Sequence, residues 1–376
     1  MSVVVSAALS GGTAVTDVTS SVVSVSVSRG RSDETEPFQT GRASVTLRNV
    51  DGTFDPVASP FQLRDAVTVS WSGGGTAVPV FTGFVEDVTL GYDLSGDASV
   101  QVSCVDGFAL LANQTVVPEA VSVEDSGARI DTVLGNAGVA WPAGTAIDSG
   151  ISQLAAGTAE GNALQYLRQV EESEQGYLYV ARDGTLTFKN RHTTLNNPIA
   201  GTQFSDDGGG IPYEAVERFS GARSLFNKVT GELEDGTARE ADDATSQSDF
   251  SIRTLDLGTV LLESVTTLED FVEYLLSQFK SPATRVDALT VNLERLSVSD
   301  AEKLASFELV DVCDVEFTPP GRSQFSNELL VQGVQHRVTV GGAWRVDLSF
   351  QRRDTRSFLI LDDAAQGTLD DNLLGF

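Results

Sequence analysis

The chain has 376 residues, 53 acidic against 25 basic side chains, a net charge of −28 and an apolar share of 41%. That length holds two or three domains with cores of their own, and that apolar share belongs to folded protein rather than to a disordered tail. So acidic a surface repels phosphate, which argues against general nucleic-acid binding.

No basic leader precedes the short apolar run at residues 2–8, and no stretch approaches the roughly 18 apolar residues of a membrane span. The expectation is a protein made in a cytoplasm, without a secretory signal. Residues 1–115 read as a first β-domain. Val23, Val25 and Val27 alternate with Ser24, Ser26 and Ser28, and Ala43, Val45 and Leu47 alternate with Ser44, Thr46 and Arg48. Asp51-Gly52 supplies a turn, Pro56 stops extension, and strands follow at 67–71, 80–90 and 99–105.

Residues 116–205 change period. Ile130, Val133, Leu134 and Ala137 keep helical spacing, as do Leu164, Leu167 and Val170. Glutamates oppose the dipole at a helix C-terminus, so the second helix is expected to end before Glu174. A hairpin follows, Tyr177–Val180 and Leu186–Phe188 around Asp183-Gly184. Residues 206–355 read as a second β-domain with a covering helix. Its capping box is placed at Thr267–Asp270, and Leu268, Phe271, Leu275 and Phe279 form its apolar face. Residues 356–376, apolar for a terminus, read as a docking tail.

The two β-domains repeat one another. Leu63-Arg-Asp65-Ala-Val67 answers Leu309-Val-Asp311-Val-Cys313, and Val45-Thr-Leu47 answers Val291-Asn-Leu293, both 246 residues on. Val100, Val102 and Cys104 fall on Val346, Leu348 and Phe350 at the same spacing. Val80–Gly91 aligns with Leu329–Gly341 when Gly83 is set on Gly333, a spacing of 250. The fold class is therefore mainly β with an α/β insertion: two related β-barrel domains plus a small α/β module. Three chains with two sister units each would give a ring of true threefold and approximate sixfold symmetry.

Chemistry is sparse. The only histidines are His192 and His336, and Cys104 and Cys313 lie in apolar alternation as reduced core thiols. No zinc spacing, P-loop or Gly-x-Ser-x-Gly occurs. The pairs Asp206/Asp207, Asp242/Asp243, Asp362/Asp363 and Asp370/Asp371 sit in Gly- and Ala-rich stretches as solvated surface. Asp93–Asp97 lacks the closing Glu of a calcium loop. No catalytic, cofactor or metal residue is assigned, and the reading is non-enzymatic.

Three segments carry a family likeness. They are Phe38–Pro56, Phe81-Thr-Gly83-Phe-Val, and Tyr177–Gly184, joined by the closing Leu361-Asp362-Asp363 and Leu369-Asp370. Together they resemble minor tail proteins of tailed bacteriophages, of the tail-tip or baseplate hub family. The resemblance implies a virion protein at the distal end of the tail, a homotrimer that adapts a sixfold tube to threefold tip or fibre proteins and forms part of the DNA exit channel. Its implied partners are the distal tail ring, the tape measure and the tip or fibre proteins. It implies no cofactor, specific nucleic-acid site or membrane span. An acidic lumen is expected from the net charge. The alternatives are a β-rich surface adhesin or carbohydrate-binding module, and a tail-associated hydrolase with the middle module as its catalytic part.

Overall fold

Valine and serine alternate through residues 22–28 so that one face can be buried while the other stays wet. In the computed structural model this segment is a strand with Val25 and Val27 buried and Ser26 and Ser28 exposed. The structure describes residues 2–8, 15–32, 36–55, 61–94, 96–193 and 202–353. Pro56 and the docking tail expected at 356–376 lie outside the described residues.

The first unit comprises β1 (Ser2–Ala8), β2 (Val22–Gly30), β3 (Gln39–Arg48), β4 (Ala66–Ser72), β5 (Val78–Tyr92) and β6 (Ala98–Val105). Their order across the sheet is β2-β3-β6-β5-β4-β1, antiparallel throughout. The Val18 N–H, just ahead of β2, donates to the Val5 carbonyl at 3.0 Å and brings the two ends of this order together.

The inserted module follows. Its helix α1 (Ser126–Leu134) starts where the Asp125 carboxylate accepts the Ala128 N–H, and α2 (Ala163–Glu174) where Asn162 accepts the Gln165 N–H. The hairpin of β7 (Tyr177–Val180) and β8 (Leu186–Lys189) turns at Gly184, whose φ of 90° suits glycine. Helix α2 does not stop before Glu174. The Glu174 side chain is fully buried, and its carboxylate accepts the Ser152 N–H (2.6 Å) and the Ser126 hydroxyl (2.9 Å) beside Arg191. Those donors outweigh the unfavourable end of the helix dipole.

The second unit comprises β9 (Thr202–Phe204), β10 (Ala215–Gly221), β14 (Ala283–Asn292), β15 (Val312–Phe317), β16 (Phe325–Thr339) and β17 (Trp344–Arg352). Between β10 and β14 lies a separate three-stranded sheet of β11 (Lys228–Leu233), β12 (Ala238–Asp242) and β13 (Thr254–Val260). Helix α3 (Val265–Phe279) packs on this small sheet. Its cap is Ser264, which accepts the Thr267 N–H, so the helix starts before the box read at Thr267. A short helix, α4 (Val298–Ala305), precedes β15.

The second unit runs β10-β14-β17-β16-β15-β9, the order of the first unit strand for strand. The duplication extends to backbone detail. Arg64 and Val310 both take left-handed φ, 72° and 70°. The Asp65 carboxylate accepts the Gln62 N–H and the Asp311 carboxylate the Glu308 N–H, each at 2.8 Å. Arg64 N–H bonds the Val85 carbonyl and Val310 N–H the Val331 carbonyl. Each long strand has its β-bulge at one place, Glu86 opposite Cys104–Ser103 and Gln332 opposite Phe350–Ser349. One difference remains: β1 pairs antiparallel with β4, whereas β9 runs parallel to β15.

These matches fix a single spacing of 246 residues across β4–β6 and β15–β17, so Gly83 does not correspond to Gly333. Gly83 falls on Leu329, and Asp87 on Gly333. The glycines serve different ends. A Cβ on Gly83 would meet the Val105 carbonyl at 2.3 Å, whereas one on Gly333 would meet the Ser349 hydroxyl and the Arg31 carbonyl. Likewise Val45 falls on Leu289, not Val291, because Val45 opposes Val102 as Leu289 opposes Leu348.

The two units share one sheet. Strand β16 pairs antiparallel with β2 over seven residue pairs, from Gly333 opposite Gly30 to Thr339 opposite Ser24. Gly30, with φ 101°, is required there, since a Cβ would lie 2.2 Å from the Gln332 carbonyl. Below this seam Arg29, 4% exposed, pairs with Glu308 at 2.5 Å, and the other Glu308 oxygen accepts the Arg182 N–H of the module at 2.8 Å. One carboxylate thus ties both units and the module together. Replacing Glu308 with Gln strands the Arg29 charge and should cost about 3 kcal/mol, the low end for breaking a buried pair because Glu308 is partly wetted. Denaturant unfolding checks this; a midpoint within error of the wild type contradicts it.

Candidate functional site

The two faces of the joined sheet divide cleanly along the register. One row on the inner face crosses seven strands as Val291, Val346, His336, Val27, Ala43, Cys104 and Val85. Every member is buried. The adjacent row on the outer face reads Asn292, Arg345, Arg337, Ser26, Ser44, Ser103 and Asp87. A further row reads Thr339, Ser24, Thr46, Gln101 and Thr89. The outer face is therefore an extended polar wall of hydroxyls and amides with charged side chains among them.

Three of its arginines are matched by acids. Arg337 pairs with Asp347 (3.1 Å), Arg345 with Glu214 (3.0 Å) and Arg42 with Glu86 (3.4 Å). The charges on this face are mixed, with exposed Arg48 and Asp87 standing beside those pairs. Exposed pairs of this kind add little stability.

The residues singled out for chemistry take structural roles. His336 faces the core, and its Nδ1 accepts the Trp344 indole N–H at 3.2 Å. Burial pushes its pKa down to about 3, so it stays neutral. Its sister position is Leu90. Cys104 and Cys313 are free buried thiols, with Cys104 pushed up to about 12 by burial. His192 sits half-buried in the turn after β8, its pKa lowered by burial. Asp206 accepts the Thr318 N–H, Asp207 the Gly209 N–H, and Asp243 caps the helix at Ala244–Phe250 while pairing with Lys280. Asp362/Asp363 and Asp370/Asp371 lie outside the described residues.

Among the described residues no group of three or more His, Cys, Asp or Glu is placed to hold a metal. No described helix is long and apolar enough to cross a membrane. An open groove of about 430 Å³ lies between Val78–Pro79 of β5 and Ser299–Ser306, and its Arg182, Glu302 and Lys303 form no nucleophile–base pair. A cleft of about 170 Å³, lined by Arg31, Arg168, Glu171 and Leu257 where the three parts meet, is smaller than ordinary ligand pockets. Glu171 there accepts the Leu178 N–H, and burial lifts its carboxyl to about 7.

The quoted motifs also make the fold. Phe38 is buried against Tyr177 and Tyr179, joining the first unit to the hairpin of the module. Asn49 accepts the Phe54 N–H and Asp51 the Thr53 N–H, shaping the turn after β3. Gly41 donates its N–H to the buried Asp106 carboxylate at 2.6 Å, where any Cβ would collide. What sequence reasoning missed is the seam itself, since strand pairing between distant segments leaves only the glycine at position 30 as a local mark.

No family model matches the chain, and no curated protein matches it. Among solved structures it is similar to the 43 kDa tail protein of prophage MuSo2 from Shewanella oneidensis, at 14% identity over 94% of this chain and 99% of that one, TM-score 0.64. A tail protein from Neisseria meningitidis matches at 13% identity over 93% and 96%, TM-score 0.62. Prophage tail protein gp18 from Listeria monocytogenes matches at 14% identity over 94% and 96%, TM-score 0.50. The chain has the β-rich fold of phage tail proteins over nearly its whole length.

His336 gives a pH test. Between pH 6.5 and about 3 the folded chain holds fewer protons on this ring than the unfolded chain, so this contribution to stability is present above that window and drains as pH falls through it. Asp106 and Glu171, lifted to about 7 by burial, act in the opposite sense, so wild type and variant are compared at each pH. His336→Leu, which installs the sister residue, should be about 1 kcal/mol less stable at pH 7 for want of the indole acceptor. Below pH 6 its deficit should shrink or reverse, by up to about 1.4 kcal/mol per pH unit. A deficit constant from pH 7 to 4 contradicts a neutral buried imidazole.

Proposed function

We propose that the chain is a structural component at the distal end of a phage tail, a homotrimeric hub. The observation that carries this reading is the internal duplication: one strand order, one left-handed Asp turn and one bulge position, each present twice in a single chain. Two equivalent units per chain let three chains offer six similar surfaces to a sixfold tube while remaining threefold toward tip or fibre proteins. The distal tail ring, the tape measure and the tip or fibre proteins are the partners this role requires. The similarity to tail proteins in fold supports it.

The polar face of the joined sheet is the surface suited to line a channel. Short hydroxyls and neutralised arginines leave DNA phosphates neither strongly attracted nor strongly repelled, so a passing duplex is not held.

The test is the mass of the purified protein in solution, alone and with the ring that precedes it in the tail. Three copies of the 39.8 kDa chain are expected. A protein that stays monomeric at high concentration and in the presence of that ring contradicts the hub.

A further inference from the structure

The turn that closes β5 onto β6 and the turn that closes β16 onto β17 are one structure made twice. Tyr92 opposes Ala98 as Val338 opposes Trp344, the second pair lying 246 residues beyond the first. The Asp93 N–H donates to the Asp97 carbonyl at 2.8 Å, and the Thr339 N–H to the Ala343 carbonyl at 3.3 Å. The Gly96 N–H donates to the Asp93 carbonyl at 3.0 Å, and the Gly342 N–H to the Thr339 carbonyl at 2.9 Å. At the second place of each turn an apolar side chain is held out in solvent. Leu94 is fully exposed there, and Val340 is 53% exposed.

The register carries both tips to one end of the joined sheet. Thr339 ends β16 opposite Ser24, Val22 at the start of β2 lies opposite Leu47, and Arg48 at the end of β3 lies opposite Ser99 near the start of β6. Each tip has a second exposed valine next to it. The Val340 N–H donates to the Val23 carbonyl at 3.0 Å, and Val23 is 40% exposed. Asn49 donates its N–H to the Ala98 carbonyl at the foot of the first turn, and the next residue, Val50, is 59% exposed. One exposed apolar side chain needs no explanation, but two such pairs at matching places on one end mark a contact surface.

We propose that Leu94 with Val50, and Val340 with Val23, are two equivalent anchors that seat in apolar sockets repeated sixfold on the ring preceding this protein in the tail. The proposal rests on the hub reading and names the end of the sheet that meets the tube. Only a partner with like sockets at regular steps engages both tips of one chain in the same way. Charge beside the first tip defines the socket further. Asp93 and Asp97 flank Leu94, and Asp51 follows Val50, all three exposed. Copies of this chain stacked tip to tip would crowd those carboxylates against one another, and an anionic membrane surface would repel them. The fitting socket is therefore apolar with a rim of Lys or Arg.

Ring binding by the full chain tests it. Leu94→Asp, Val340→Asp and the double variant change exposed turn residues, so each should keep the trimer mass and the unfolding midpoint of the wild type. Titrated with the purified distal tail ring, each single variant should bind about tenfold more weakly, and the double variant about a hundredfold. Ile252→Asp, which alters an exposed apolar residue in the loop before β13, should bind as the wild type does. A trimeric double variant that binds the ring as tightly as the wild type overturns the anchors and leaves the hub reading standing. A loss confined to one tip overturns their equivalence. Wild-type trimers that stack on one another through these tips and leave the ring unbound overturn the choice of partner. A chain that neither trimerises nor binds the ring removes the hub reading and the anchors with it.

Discussion

The structure depends on one strand pairing, β16 against β2. Each unit satisfies most of its backbone groups internally, but an antiparallel unit of this kind still exposes the outer sides of two strands. Joining one such edge from each unit removes two of the four liabilities and makes one continuous sheet from two sister units. The conditions of that junction explain several otherwise unrelated residues. Gly30 admits the Gln332 carbonyl, Arg29 finds Glu308 beneath the junction, and Glu308 in turn holds the module through Arg182.

From the junction follows the division of faces. A buried row, valine, alanine and cysteine with His336 at the boundary, runs beneath polar rows that cross the boundary at Arg337–Ser26 and Thr339–Ser24. A continuous wet face spanning both units suits a wall better than a pocket. The residues that chemistry would use elsewhere are committed to caps, turns and buried bonds. Function in such a molecule resides in shape, symmetry and edges.

Much of this was legible in the sequence. Alternation placed the main strands of both units, and the matched Leu-x-Asp segments at 63–65 and 309–311 marked a real shared turn. The alignment failed where it leaned on glycine. Gly83 and Gly333 answer different neighbours, and the one-residue bulges at Glu86 and Gln332 carry no compositional signature. The helix end at Glu174 was misjudged because its stabilising donors, Ser126 and Ser152, come from distant segments. The small sheet at 228–260 and the strand at 2–8 also escaped notice, their pairing being set by partners far along the chain. The matched tips after β5 and β16 became visible only when the two turns could be compared bond for bond.

The central claim is that the two units occupy equivalent places in one ring. Electron cryomicroscopy of the assembled protein measures this directly, through the rotational symmetry of its end-on views. The account expects a sixfold signal at coarse detail that resolves into threefold at fine detail. Units that sit at different radii or heights, giving a threefold signal at every resolution, contradict it.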